Sequence, residues 1–119
     1  MQVLLGIGGG DDAVLALEKT VERVEATDDV LTIAILEHPA TDRSAVELLE
    51  LVDSTVDDDV AVTHLDGAPG PALVEFAERG EFDRLVIGGG LRSPMGKISL
   101  GDVAEFVILN APMSVTLIR

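Results

Sequence analysis

At 119 residues the chain is long enough to bury one substantial core and too short for two, so it reads as one domain over 1–119. Apolar residues make up 47%, which excludes a disordered chain, and no apolar run reaches the roughly 18 residues of a membrane span. Acidic residues outnumber basic ones by 22 to 8, for a net charge of −14; such a surface repels nucleic acid and anionic membrane, and neither is expected as a partner.

The chain alternates short apolar runs with helical periodicity. The opening, MQVLLGIGGG, has no basic segment before its apolar run and no small-residue cleavage site, which argues against a secretory signal and points to the cytoplasm. Residues 2–7 predict a strand, and from Asp11 a helix aligns Val14, Leu17, Val21 and Val24, with Asp11 or Asp12 as its cap. A second strand is expected over 30–36 and a second helix from about Asp42, stacking Ala45, Leu49, Val52 and Val56. Asp57, Asp58 and Asp59 then read as a solvated loop.

The third strand, VAVTHL, covers 60–65, and the third helix runs from about Gly70 to Glu78 with Leu73, Phe76 and Ala77 inward. RLVIG at 84–88 is the fourth strand; a fourth helix buries Val103, Ala104 and Val107, and MSVTLI at 113–118 is the last strand. Strands apolar on both faces and alternating with helices predict a doubly wound α/β domain, a five-stranded parallel sheet with helices on both faces.

Glycine runs follow two of these strands: Gly8, Gly9 and Gly10 after the first, Gly88, Gly89 and Gly90 after the fourth. Doubly wound sheets bind ligands beyond the carboxyl ends of their strands, where glycines admit close backbone approach and helix N-termini attract anions. Standard nucleotide motifs fail on inspection. A P-loop needs glycine at Leu91 and a hydroxyl at Ile98, and GxGxxG starts at Gly6 and Gly8 but meets Asp11 at its last position. Cysteine is absent and the only histidines are His38 and His64, which excludes disulfides, thiolate or histidine-rich metal centres and cysteine nucleophiles; no metal site and no catalytic residue is assigned.

The element order, together with VIGGGLRSPMGKISLGDV at 86–103, resembles the universal stress protein family over essentially the whole chain. Members have a glycine ending the fourth strand, a second glycine after two residues, and, nine residues later, a glycine followed by serine or threonine. In this chain those positions are Gly88, Leu91, Gly101 and Asp102. Gly67, Pro69, Leu73, Ala77 and Asp83 match recurring family residues, and Arg92, Ser93, Pro94, Gly96 and Lys97 are similar to the loop of one subgroup.

The resemblance implies a Rossmann-like, adenine nucleotide alpha hydrolase-like fold with strand order 3-2-1-4-5, and homodimers paired through the last strand. It also implies a stress-response module that, in one branch, holds ATP or another adenine nucleotide across strands one and four. The binding candidates are Gly8, Gly9, Ile35 beside the adenine, Gly88, Gly89, Gly90, Arg92, Ser93, Gly96, Lys97, Gly101, Asp102 and Val103. Gly88, Gly101 and Val103 fit the pattern. Gly8 stands where the branch has a nucleotide-contacting aspartate, and Leu91 and Asp102 also depart.

Aspartate at 102 still caps a helix but, ionised, can only accept hydrogen bonds. Beside a phosphate 4 Å away it would cost about 4 kcal/mol at an effective dielectric near 20, unless Arg92 and Lys97 or a bridging cation such as Mg2+ offset it. The alternative is a dimeric interaction protein that binds no nucleotide, and at most slow ATP hydrolysis follows from the first reading. In the last strand Val115 and Leu117 share one face with Arg119, and Ser114, Thr116 and Ile118 the other. An apolar edge of this kind invites pairing with a second copy.

The acidic excess carries only two lysines, Lys19 and Lys97, and predicts a halophilic protein. Its self-repulsion acts over a Debye length of about 10 Å at 0.1 M salt and is screened to about 3 Å near 1 M. Far-UV circular dichroism is therefore expected to report loss of native structure on desalting and recovery when salt is restored. An unchanged spectrum would mark an acidic protein of ordinary salinity.

Overall fold

The computed structural model describes residues 1–8, 13–36, 45–56, 60–88, 91–92, 98–99 and 102–118. In chain order the elements are β1 (Gln2–Ile7), α1 (Ala13–Thr27), β2 (Val30–Leu36), α2 (Ala45–Thr55), β3 (Ala61–Leu65), α3 (Pro69–Arg79), β4 (Arg84–Gly88), β5 (Leu91–Arg92), β6 (Ile98–Ser99), α4 (Asp102–Asn110) and β7 (Ser114–Ile118). Five strands form a sheet in the order β3-β2-β1-β4-β7, parallel throughout. Counting those five alone, this is the expected 3-2-1-4-5 order. The sequence reading did not contain the other two strands, β5 and β6, which pair antiparallel as a short separate ribbon.

β1 is the central strand, with Gln2–Ile7 level with Val30–Ile35 on one side and Val3–Gly6 level with Arg84–Ile87 on the other. Its alternation sends side chains to two cores. Val3, Leu5 and Ile7 pack with Ala16, Leu17, Ile33, Ile35, Val52 and Val86, the α1 and α2 face. Leu4 faces the opposite way, into a cluster with Leu73, Leu85, Ile87, Ala104 and Val107 under α3 and α4. Burial on both faces is why these strands read as continuous apolar runs. β3, at the sheet edge, is only half covered: Val62 is exposed and Thr63 and Leu65 are intermediate.

Polar contacts pin the start of β1. The Gln2 backbone amide donates to Asp83 Oδ2 at 2.8 Å, and the Asp83 amide donates to the Gln2 carbonyl at 2.9 Å. This exchange ties the α3–β4 turn to β1 and accounts physically for the aspartate in the family-like segment. The Met1 amino group donates to Asp29 Oδ1 at 2.8 Å. That contact, reinforced by the Thr27 hydroxyl, holds the Asp29 carboxyl below its usual range, and the amino group is held above its own.

One predicted inward face differs from the structure. In α2, Leu49 is 41% exposed, whereas Val52 is buried and Leu51 and Val56 pack against the same cluster. The buried stripe therefore passes through Leu51 and Val52 and leaves Leu49 outside; a leucine-rich helix offers two such stripes, and composition does not choose between them. In α3, Leu73 and Ala77 are buried and Phe76, half buried, packs against the same cluster, as expected, with Val74 joining them; the Phe76 ring lies against Phe82 with centroids 5.8 Å apart. Among the described residues no helix is long and apolar enough to cross a membrane.

Gly6 sets how closely α3 approaches the sheet. A Cβ added there would lie 2.6 Å from Leu73 Cδ2, and Leu73 is fully buried, so its side chain has no free space to yield. Gly70 does the same between helices, where a Cβ would meet the Phe106 ring at 3.0 Å. Gly6→Ala is expected to destabilise the fold by about 1–3 kcal/mol, as overpacked cores do. In a Leu73→Ala background that cost should largely vanish, which chemical denaturation of the double-mutant cycle measures. Equal costs in both backgrounds would refute the contact.

Candidate functional site

The register of β1 on β4 builds the candidate cleft. Gly6 is level with Ile87, so Gly8, just beyond β1, and Gly88, the last residue of β4, stand at neighbouring strand ends; both are half buried. The right-handed crossovers of such a sheet bring each following helix back from the carboxyl edge. α1 therefore starts at Ala13, a few residues past Gly8, and α4 starts at Asp102. Two helix N-termini thus follow the two glycine-bearing strand ends, each a partial positive charge in a chain dominated by carboxylates.

The remaining sequence candidates divide by position. Ile35 is level with Ile7 on the neighbouring strand and is 1% exposed, so its side chain belongs to the core beneath the strand ends. Val103, in the first turn of α4, is half buried and packs against the α3 and α4 core, which anchors the helix start. Asp102 is the first residue of α4. Arg92 is in β5, level with Ile98, and Leu91 is level with Ser99; the ribbon thereby joins the two ends of the RSPMGK loop. Gly9, Gly10, Gly89, Gly90, Ser93, Gly96, Lys97 and Gly101 lie outside the described residues, as do Asp11 and Asp12.

His64 is one of the two histidines of the sequence. It is level with Ile35 in β3, and its Nδ1 lies 3.4 Å from the Asp66 carboxylate. Alternation alone could have placed it on the Ile35 face of the sheet, but the pairing of β3 with β2 was needed to bring it to that height. Among the described residues no group of three or more histidine, cysteine, aspartate or glutamate side chains could hold a metal ion. The arrangement offers backbone approach at glycines and helix N-termini for an anion, and among the described residues no nucleophile and base are assembled there.

Gly88 ends the sheet strand, the ribbon follows within three residues, and α4 begins three residues after β6.

A model of the universal stress protein family matches residues 1–119. A universal stress protein of Methanocaldococcus jannaschii is 40% identical over 55 residues, which is 46% of this chain and 32% of that protein; the match thus spans about a third of the relative's length. Among solved structures, a universal stress protein in complex with cAMP superposes with a TM-score of 0.72 at 23% identity, covering 100% of this chain and 97% of the other. A universal stress protein family protein from Arabidopsis thaliana with AMP bound gives a TM-score of 0.70 at 19% identity, covering 99% and 90%. At these identities the superpositions establish the shared adenine nucleotide alpha hydrolase-like fold. With that fold, and a family model matched from the first residue to the last, the chain belongs to the universal stress protein family.

Proposed function

We propose that this protein is a stress-response module that binds an adenine nucleotide at the carboxyl ends of β1 and β4. One observation carries the reading: the β1–β4 register, with Gly6 level with Ile87, puts Gly8, one residue past β1, and Gly88, the last residue of β4, at neighbouring strand ends, each followed along the chain by a helix N-terminus. The relatives solved with cAMP and AMP support the ligand class. In this reading Gly8, Gly9 and Gly88 to Gly90 let the backbone approach the ligand. Ser93, Gly96 and Gly101 shape the phosphate loop, and Arg92 and Lys97 balance the charge of Asp102, with Mg2+ as the candidate bridging ion.

The charge of Asp102 sets the sign of a direct test. Isothermal titration at high salt should detect ATP, ADP or AMP, and Arg92→Ala and Lys97→Ala should each weaken binding by about tenfold, the equivalent of 1.4 kcal/mol. Asp102→Ser should tighten binding most when Mg2+ is withheld, because it replaces an anion by a hydroxyl that can donate. Absence of heat with all three nucleotides, with or without Mg2+, would reject the proposal. It would favour a nucleotide-free interaction protein, to which the departures at Gly8, Leu91 and Asp102 also point.

The same reading includes a two-fold dimer. In the sheet β7 pairs with β4 alone, and Val115 and Leu117 on it are half buried. Among the described residues no strand pairs with its other edge, whose backbone donors and acceptors a second copy can complete. Light scattering at high salt is expected to give twice the chain mass, and a monomer would overturn this part.

A further inference from the structure

A second cavity, of about 80 Å3, lies on the α1 face of the sheet, between the second half of α1 and the β4–β7 edge. Neither Gly8, Gly88 nor Val103 lines it. Its polar wall has two buried atoms without a hydrogen-bond partner, Thr20 Oγ1 and Arg84 Nε. Thr20 is 3% exposed and is the one buried polar side chain among the described residues. Buried donors and acceptors in native proteins are normally satisfied by protein, water or ligand. Both of these line the same space.

Charge identifies the missing partner. Arg84 and Arg23 both line the cavity, two of only eight basic residues in a chain of net charge −14, and an arginine side chain stays protonated. Arg84 is held in place, since its Nη1 donates to the Thr116 hydroxyl across the β4–β7 pair at 3.2 Å, which leaves Nε as an oriented donor. The one carboxylate of the lining, Asp29, is already engaged: it accepts from the Met1 amino group at 2.8 Å and from the Thr27 hydroxyl at 2.6 Å. Among the described residues the lining therefore sets Arg23, Arg84 and the Met1 amino group against one carboxylate, Asp29, which the charge of Arg84 also stabilises, and the wall keeps a net positive charge.

The rest of the wall is apolar, with Val3, Val24, Val86 and Ile118. A cavity of about 150 Å3 accommodates benzene, so about half that volume suits a molecule with fewer than benzene's six non-hydrogen atoms. We propose that this cavity binds a small aliphatic monocarboxylate of acetate or propionate size, its carboxylate against Arg84 Nε and the Thr20 hydroxyl and its alkyl end on the valines. The site is independent of the nucleotide cleft.

The test uses the full chain at high salt, with sodium acetate or sodium propionate titrated against sodium chloride at matched ionic strength. A ligand that binds only the folded state raises the unfolding midpoint in proportion to its occupancy. Saturable stabilisation by the carboxylates beyond that of chloride is expected, together with a titrating shift of the Arg84 Nε–H NMR resonance. Arg84→Met should weaken binding at least tenfold and Thr20→Val several-fold, and hexanoate, too long for the cavity, should give no response. If Arg84→Met does not fold, Thr20→Val still carries the test. Responses equal to those of chloride, an Arg84 resonance that does not move, or unchanged binding in Thr20→Val would overturn the proposal and leave the cavity to water.

Discussion

The exchange of hydrogen bonds between Gln2 and Asp83 ties the turn before β4 to the first residue of β1, eighty-one positions away. Much else is arranged from that contact. It fixes Val3 opposite Arg84, so that four positions later the two strands end together at Ile7 and Gly88, with Gly8 one residue beyond. It also fixes which β4 side chains face α1, and hence that Arg84 and Val86 share a wall with Val3. A slip of one residue would send every β4 side chain to the opposite face and bury Arg84 beneath α3. Because the carboxylate accepts and the amide donates to the same residue, no such slip satisfies both atoms.

Most of the architecture was legible because β1, β2 and β4 are buried on both faces, and continuous apolar runs bounded by polar turns are distinctive. The bounds of β2 and β4 agree with the runs at 30–36 and 84–88. Where burial is one-sided the sequence is less decisive. In α2, leucines at 48, 49 and 51 spread the apolar surface around the helix, and only contact with the sheet selects Val52. The β5–β6 ribbon left no signal, because two-residue strands are shorter than any periodicity that could announce them.

The candidate nucleotide cleft was legible for a different reason. Glycine runs after strands are local features, and the rule that ligands collect at carboxyl strand ends converts them into a place in space. The second cavity had no comparable signature. Thr20 and Arg23 come from α1, Arg84 from β4 and Thr116 from β7, and nothing in a linear pattern links a helical threonine to a strand arginine sixty-four positions on. That Thr20 is buried follows from α1 turning its Ala16, Leu17 and Thr20 positions inward. That its hydroxyl lacks a partner is a property of the assembled packing alone.

Gly6 has a consequence for how a sequence of this kind can change over time. The strand and α3 meet so closely that the residue at 6 and the residue at 73 share one volume, and a side chain can occupy it from only one side. A lineage that enlarged position 6 first would pass through a strained intermediate, whereas one that first shortened Leu73 would pass through a cavity, and both intermediates are less stable than either end. The two sites are thereby evolutionarily entangled: each holds the other's ancestral identity in place, although sixty-six residues of chain lie between them.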